Sequence, residues 1–368
     1  MKNHQVISIG LLLLSLWSCK ETKDSFIDSK LSLVRNEIEL THDSLLLKRV
    51  DKSSIVGRDS LLVFDNERRT FVLFDLTNKK PLWHFEAQIT GPDFLNTPVF
   101  DMFLRKDGLY VLDRSYISVF DINSAKVKQR ISSDEITNWN ENFLIFSFEE
   151  GPDQSIYLPI TDHAGVFPGL LAKKNNSIIY TYSKNGKLDS LPVSAPEESL
   201  LYDAERGYYN NFAAHHLNQI GELTIFNYEF SSTIYVYNNK TQQISAKNIE
   251  PKLSPSKRDP LSKEYIRNNI GGNPYEGPRF FPVHYLPEID IYLRYHSFYE
   301  KTTDGSALKK RYMMFFDAEF NVIDEIDISD EDVWEPIVDG NKLYFRKVNQ
   351  EFEDRFQYVV YTIEKVLG

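Results

Sequence analysis

Residues Phe71-Val72-Leu73-Phe74-Asp75 are the first copy of a short segment that recurs along the chain. Each copy alternates apolar residues, reaches a Phe or Tyr, and continues through a small polar residue into a turn. The other copies begin at Ile117, Ile178, Ile234, Met313 and Tyr358. Alternating apolar residues followed by Asn- or Gly-containing turns are typical of antiparallel strands joined by tight hairpins. The segment therefore predicts a repeated β-hairpin.

Further strand-like runs precede every copy and follow the first five. Leu61-Leu62-Val63-Phe64 precedes the first copy, and the run from Leu82 to Phe85 follows it. In several copies a third apolar run lies further upstream, most clearly from Phe143 to Phe148. The unit therefore has four strands and occurs six times. Four-stranded units that recur at roughly 45 residues, with insertions, are typical of β-propeller blades. A β-sandwich, or a pair of them, is the alternative.

The sixth copy ends at Gly368 and lacks an outer strand of its own. Residues 31–40, in which Ile38 and Leu40 alternate with polar residues, offer a spare strand. A strand from the amino terminus that completes the last blade would close the ring and cover an open sheet edge. We therefore predict an all-β, six-bladed β-propeller with four-stranded antiparallel blades, closed by this N-terminal strand, as a single domain over residues 31–368.

The amino terminus has the pattern of a processing signal. Lys2 and His4 precede an apolar run over residues 6–17, which is too short to span a membrane. The run ends in Leu16-Trp17-Ser18-Cys19, which resembles a bacterial lipobox. The resemblance implies a lipoprotein signal peptide over residues 1–18 and lipidation of Cys19 with diacylglycerol and palmitate. A secretory signal with an incidental cysteine is the alternative.

Residues 19–30 are polar and lack apolar periodicity, which predicts a flexible tether. Lys20 and Glu21 directly after Cys19 are similar to the export signal of surface lipoproteins in Bacteroidota. We therefore expect the protein in the outer membrane, with the periplasmic and cell-surface sides both open. The expected contact with the membrane is through the N-terminal lipid only, and the expected oligomeric state is a monomer.

Charge and cysteine content exclude several function classes. The chain has 42 basic and 53 acidic residues and a net charge of −11, which excludes a nucleic-acid binder with a basic face. A single cysteine excludes a disulfide within the chain and any paired-cysteine metal site.

Most patterns of catalytic or metal sites are absent from the sequence. His215 and His216 are adjacent, so on one strand they would point to opposite faces and could not share a metal ion. The carboxylates between residues 324 and 332 lack the glycine and ligand spacing of a calcium loop. Asp75, Asp121 and Asp317 precede turns, where Asp bonds its own backbone. We therefore predict no catalytic residue, no cofactor and no metal.

The working surface is predicted from loop lengths. If the first strand of each unit is innermost, the connections between strands two and three and between consecutive units lie on one face. Four long segments fall there, 159–177, 194–210, 250–279 and 296–311, and the third has a predicted helix over 262–269. We call this side the long-loop face. Long loops usually persist because they bind something. The candidate ligand-binding residues are Arg279, Tyr275, His296, Arg294, His163, Asn211 and Trp334.

The lipobox, the length, the six repeats and the segment Arg279-Phe280-Phe281-Pro282 together resemble Bacteroidota envelope lipoproteins with six-bladed propellers, in particular a family of unknown function. The resemblance implies the fold and envelope anchoring, and it supplies no catalytic residue. Two function classes stay open. A binding module would hold a glycan, a peptide or a partner protein on the long-loop face. A lactonase-like hydrolase or lyase would use the central channel, and the fold cannot choose between the two.

Overall fold

The computed structural model describes residues 31–41, 47, 50–132, 143–145, 147–151, 154–162, 178–193, 202–203, 207–208, 215–229, 231–257, 277–301, 307–331, 333–348 and 355–365. Every regular element within these ranges is a β-strand. Consequently this part of the chain has no helix that could cross a membrane.

The strands form six antiparallel blades. The first described strand is β1 (Leu31–Thr41), which belongs to the sixth blade. Blade 1 is β2 (Val50–Val56), β3 (Ser60–Asp65), β4 (Thr70–Asp75) and β5 (Lys80–Glu86). Blade 2 is β6 (Val99–Arg105), β7 (Gly108–Asp113), β8 (Tyr116–Phe120) and β9 (Val127–Ser132). Blade 3 is β10 (Phe143–Ile145) and β11 (Glu149–Glu150), which both pair with β12 (Ile156–Asp162), then β13 (Ile179–Tyr182) and β14 (Leu188–Ser190).

A short hairpin, β15 (Tyr202–Asp203) and β16 (Gly207–Tyr208), lies between blades 3 and 4 in the sequence. Blade 4 is β17 (His215–Ile220), β18 (Leu223–Tyr228), β19 (Ile234–Asn238) and β20 (Gln243–Lys247). Blade 5 is β21 (Pro278–Leu286), β22 (Ile291–Lys301), β23 (Ala307–Phe316) and β24 (Val322–Asp327). Blade 6 is β25 (Val333–Asp339), β26 (Lys342–Lys347), β27 (Arg355–Lys365) and β1. The predicted six-bladed β-propeller is confirmed.

The core is divided into six hydrophobic clusters, one between each pair of neighbouring blades. Strand β3 shows how one blade serves two clusters. Leu62 and Phe64 pack toward blade 2, while Leu61 and Val63 pack toward blade 6. The middle strands are therefore buried on both faces, which explains why their sequences are continuously apolar.

The N-terminal strand closes the ring as predicted. Strand β1 pairs antiparallel with β27 along its whole length, from Leu31 opposite Lys365 to Thr41 opposite Arg355. Its two most buried apolar side chains enter different clusters: Leu31 packs between blades 5 and 6, and Leu40 packs between blades 6 and 1. The edge of β27 is thereby paired, and β1 is the outer strand of blade 6 as β5 is of blade 1.

The turns that lead into the outer strands have a common construction. Asp75 accepts hydrogen bonds from the backbone N–H groups of Thr77 at 2.7 Å and Asn78 at 3.1 Å. Asp121, Asn238 and Asp317 accept equivalent backbone hydrogen bonds. These hydrogen bonds agree with the prediction that the aspartates are turn residues without a catalytic role.

Each of the four predicted loops contains strand residues: β12 continues to Asp162 in segment 159–177, and β21 begins at Pro278 in segment 250–279. Segment 296–311 was predicted as a loop, yet β22 and β23 continue as a paired hairpin as far as Lys301 opposite Ala307. The loop prediction was wrong because β22 and β23 stay paired with each other beyond the residues that pair with β21 and β24. Segment 194–210 contains the hairpin of β15 and β16. The predicted helix over 262–269 and residues 163–177 lie outside the described residues.

Candidate functional site: the central channel and its mouth

The innermost strands β2, β6, β11, β17, β21 and β25 surround a cavity of about 710 Å³ on the propeller axis. All six blades contribute side chains to its wall. A second cavity of about 630 Å³ lies between blades 6 and 1, beside Val50, Trp334 and Lys347. These residues mark the ends of strands that meet the long-loop face. The two cavities share Lys52 and Glu335, so they adjoin at the channel mouth.

Two carboxylates of the channel wall lie near each other where blades 2 and 3 meet. Asp101 accepts a hydrogen bond at 3.1 Å from the backbone N–H of Phe148, the residue before Glu149. Burial raises the pKa of both carboxyls, and the negative charge of Asp101 raises the pKa of Glu149 further. Glu149 therefore keeps its proton to a higher pH than an ordinary glutamate.

Side chains of opposite charge lie close together at the channel mouth. Glu335 is exposed to solvent in the channel. Desolvation by the surrounding wall nevertheless raises the pKa of its carboxyl group. The positive charges of Lys52 and Arg279 oppose this shift. Arg279 also forms an ion pair with Glu229. The mouth can therefore offer both hydrogen-bond donors and acceptors to a polar ligand.

His284 lines the channel from β21 in a neutral state. Burial lowers the pKa of its imidazole to about 4. The side-chain amide of Asn218 lies 3.2 Å from Nδ1 of His284 and also donates to the Val283 carbonyl. An amide N–H that donates to Nδ1 requires the unprotonated ring nitrogen, so the hydrogen bond favours the neutral imidazole.

We expect His284→Asn to reduce the loss of stability in acid. A pKa of about 4 in the folded protein means that the unfolded chain binds the proton more tightly between pH 6.5 and 4. The wild type should thus lose about 2 kcal/mol relative to the variant on going from pH 7 to pH 5. Denaturant unfolding at both pH values measures this difference. The matched control is His84→Asn on the exposed face of β5, and equal pH dependence of wild type and His284→Asn would contradict the prediction.

Trp334 is the candidate residue that the structure places at the mouth with an accessible ring. Its side chain is 50% exposed and lines the cavity between blades 6 and 1. The guanidinium of Arg346 lies 5.3 Å from the centre of the indole ring and donates a hydrogen bond to the Val50 carbonyl. Arg346 can thereby hold the indole in place through a cation–π contact. Arg279, at the start of β21, lies near the same mouth, as its effect on Glu335 indicates.

Arg294 and His296, which the sequence places near the channel mouth, are fully buried within blade 5. Arg294 donates to the Ser232 carbonyl at 2.7 Å and lies over the Phe280 ring. Nε2 of His296 lies 3.2 Å from a carboxylate oxygen of Glu325. The expectation that they lie at the mouth needs correction: both belong to β22 and are buried, and the loop predicted from His296 onward is part of the paired β22–β23 hairpin. Tyr275, His163 and Asn211 lie outside the described residues, as does Cys19.

Arg294, His296 and Glu325 form a buried polar cluster in blade 5, here called the blade 5 cluster. It keeps a positive and a negative charge inside the protein. Burial lowers the pKa of Arg294 to about 9, while the negative charge of Glu325 opposes this change. Burial and the nearby Arg294 lower the pKa of His296, which therefore stays neutral between them. Glu325 also accepts a hydrogen bond at 2.7 Å from the backbone N–H of Lys252, in the connection from blade 4 to blade 5. The cluster thus fixes a segment of the long-loop face.

No sequence pattern pointed to the polar residues of the channel itself, namely Lys52, Asp101, Glu149 and Glu335. Their signal is weak, since each is a single polar residue in or next to a short innermost strand. Within the described ranges, no group of three or more His, Cys, Asp or Glu side chains is placed to hold a metal ion.

Six blades around a polar axial channel define the protein as a β-propeller with a solvent-accessible cavity on its axis. The chain belongs to the family of the domain of unknown function DUF4221, whose model matches residues 30–327. The resemblance inferred from the sequence is thereby confirmed.

Comparison with solved structures gives the same fold. A DUF4221 member from Bacteroides vulgatus has 16% identity and a TM-score of 0.69, with 92% of this chain and 99% of that chain covered. A candidate exported protein from Bacteroides fragilis has 11% identity and a TM-score of 0.53, with 94% and 98% covered. The comparison with curated proteins found no match.

Proposed function

We propose that the protein is a lipid-anchored binding module of the bacterial cell envelope that holds a ligand at the channel mouth on its long-loop face. The observation that carries the proposal is the pair of adjoining cavities, of about 710 and 630 Å³, whose walls bear charged and polar side chains. Small-molecule sites usually have volumes of about 300–1,000 Å³. Either cavity is therefore large enough for a small ligand.

The envelope location rests on the lipobox and on similarity. Leu16-Trp17-Ser18-Cys19 supports a lipid on Cys19, and a candidate exported protein of Bacteroides fragilis has the same fold. We propose the outer membrane as the site of anchoring, through the lipid alone, for a monomeric protein.

A saccharide fits the chemistry of the mouth. The exposed indole of Trp334 offers a flat apolar surface on which the C–H face of a sugar ring could stack. Lys52 and Glu335 line the same cavity as Trp334 and offer a donor and acceptors for hydroxyl groups. Arg279 belongs to the same proposed site, together with Tyr275, His163 and Asn211. Arg294 and His296 support it from within blade 5. A peptide and a partner protein are the other classes of ligand.

We expect Trp334→Ala and Glu335→Gln each to weaken saccharide binding by about 5- to 30-fold, since each removes a contact worth about 1–2 kcal/mol. A panel of di- and trisaccharides, including uronic acids and amino sugars, identifies the probe, and isothermal titration calorimetry measures its affinity. The affinity control is Trp83→Ala, because Trp83 lies on the outer strand β5 and packs against the core between blades 1 and 2. Unchanged melting temperatures would show that the variants fold.

The proposal fails if a bound saccharide keeps its affinity in both variants. If only short peptides bound, and Trp334→Ala weakened their binding to the same extent, the site would stand and its ligand would be a peptide. If the protein instead bound a folded partner protein, and no saccharide competed with that binding, the binding surface would be assigned to the rest of the long-loop face.

A hydrolase or lyase is the second candidate, and one observation favours it. Asp101 and Glu149 are neighbouring carboxyls with raised pKa values in a cavity, as general acids often are. Product formation from the bound saccharide, abolished in Glu149→Gln while binding persists, would establish the enzyme. Binding without turnover would establish the module.

A further inference from the structure

The register of β1 shows where the N-terminal segment joins the propeller. In blade 6, the hairpin between β25 and β26 turns at Gly340 and Asn341, and Lys342 pairs with Thr362 of β27. Strand β27 continues three residues beyond that pair, to Lys365, which lies opposite Leu31. Leu31 is therefore at the end of the blade that carries the turns between strands one and two and between strands three and four. We call this the short-turn face, opposite the long-loop face.

The connection between Cys19 and this point is short. Residues 20–30 number eleven, the same as the number of residues in β1. Eleven residues span at most about 40 Å when fully extended, at 3.3–3.6 Å per residue. An anchor on Cys19 could therefore reach the long-loop face only by running fully extended past the whole outer strand. The short-turn face is within reach without this constraint.

Exposed lysines on the short-turn face are compatible with this direction. The turns into the outer strands of blades 1 to 4 carry exposed lysines, although the chain as a whole has a net charge of −11. These lysines are Lys79, Lys126, Lys184, Lys187 and Lys240. Lysine near a membrane surface is attracted to anionic lipid headgroups. The same face also carries acidic side chains: Asp317 and Glu319 lie in the equivalent turn of blade 5, and Glu222 pairs with Lys240 in blade 4.

We infer that the short-turn face of the propeller lies against the lipid surface that carries its anchor, and that the long-loop face with the channel mouth points away from the membrane. The inference rests on the lipid anchor of the proposed function and adds the orientation. A ligand or partner then reaches the channel mouth from the aqueous side and need not pass between the protein and the bilayer.

Two positions in blade 2 test the orientation as a matched pair. Lys126→Cys lies on the short-turn face, and Arg114→Cys lies in the turn between β7 and β8 on the long-loop face. Both residues are exposed, and each substitution removes one positive charge. Cys19 is the only native cysteine and its sulfur is blocked by the lipid, so the introduced thiol alone takes a fluorescent label. The lipidated full chain is placed in phosphatidylethanolamine–phosphatidylglycerol vesicles with a headgroup-attached quencher.

We expect the label at position 126 to be quenched at least about twofold more than the label at position 114, because a strand of six residues separates the faces by about 20 Å. Lys240→Cys and Lys252→Cys repeat the comparison in blade 4, which excludes a simple tilt of the ring. Equal quenching at both faces, or stronger quenching at 114 and 252, would overturn the orientation.

Separate readouts distinguish this failure from failure of the anchor. In the Cys19→Ala background the protein should leave the membrane fraction, lose its acyl mass, and show no quenching at either position. A Cys19→Ala protein that stays membrane-bound would refute the lipid anchor and with it the orientation. Retained acylation with equal quenching would refute the orientation alone and leave the proposed binding function intact.

Discussion

Deletion of residues 31–40 is expected to lower the free energy of unfolding by about 5 kcal/mol or more. The deletion removes Leu31 and Leu40 from two different hydrophobic clusters, and the burial of a single leucine side chain contributes about 2–5 kcal/mol in mutational series. It also exposes the N–H and C=O groups of β27, which form an open edge that favours association. Denaturant unfolding and light scattering measure the two effects.

Single substitutions in the same strand provide a finer test. Leu40 has no exposed surface, so Leu40→Ala should cost about 2–5 kcal/mol. Val34 is 42% exposed on the same strand, so Val34→Ala should change stability by less than about 1 kcal/mol. A protein that begins at Leu31 is the control for the deletion. If deletion and control had the same melting temperature, another contact would have to close the ring.

Arg294→Met is the second change for which we expect a large effect, a loss of about 3–5 kcal/mol. The substitution leaves the Ser232 carbonyl without its donor and the carboxylate of Glu325 without the nearby positive charge. The volume of the side chain is largely kept between Phe280 and Phe316, so most of the loss would come from electrostatics. Urea unfolding at pH 7 measures the change.

Two further variants separate charge from packing. In the double variant Arg294→Met, Glu325→Gln the buried negative charge is also removed, so part of the stability should return. Lys187 and Asp189 form an ion pair with side chains 75% and 64% exposed, and Lys187→Met should cost less than about 1 kcal/mol. A loss in Arg294→Met no larger than in Lys187→Met would show that the buried charges are not coupled as the structure indicates.

The repeat was the part of the fold that could be predicted well. Strands that are buried on two faces must be apolar at nearly every position, as Leu61 to Phe64 are, and such runs are visible without an alignment. The turns before the outer strands were also predictable, because Asp75 and Asp121 make hydrogen bonds within a few residues of themselves. The same locality explains why the aspartates of these turns could be assigned to structure.

Residues of the site were predicted less well. Trp334 and Arg279 lie near the channel mouth, whereas Arg294 and His296 are inside blade 5. Whether an arginine faces a channel or a neighbouring blade depends on the register of its strand, and a shift of one residue reverses the face. The hairpin of β22 and β23 extends to Lys301 and Ala307, and this pairing placed both side chains in the interior.

The sequence by itself determined the number of blades, the order of strands and the use of residues 31–40 to close the ring. These features depend on apolar periodicity, turn chemistry and a strand that would otherwise lack a partner, which are properties of short segments. Only the tertiary structure decided which polar side chains meet. Lys52, Asp101, Glu149 and Glu335 come from four blades and converge on one cavity, and no local pattern records that proximity. Their raised pKa values, where present, come from burial by the assembled ring.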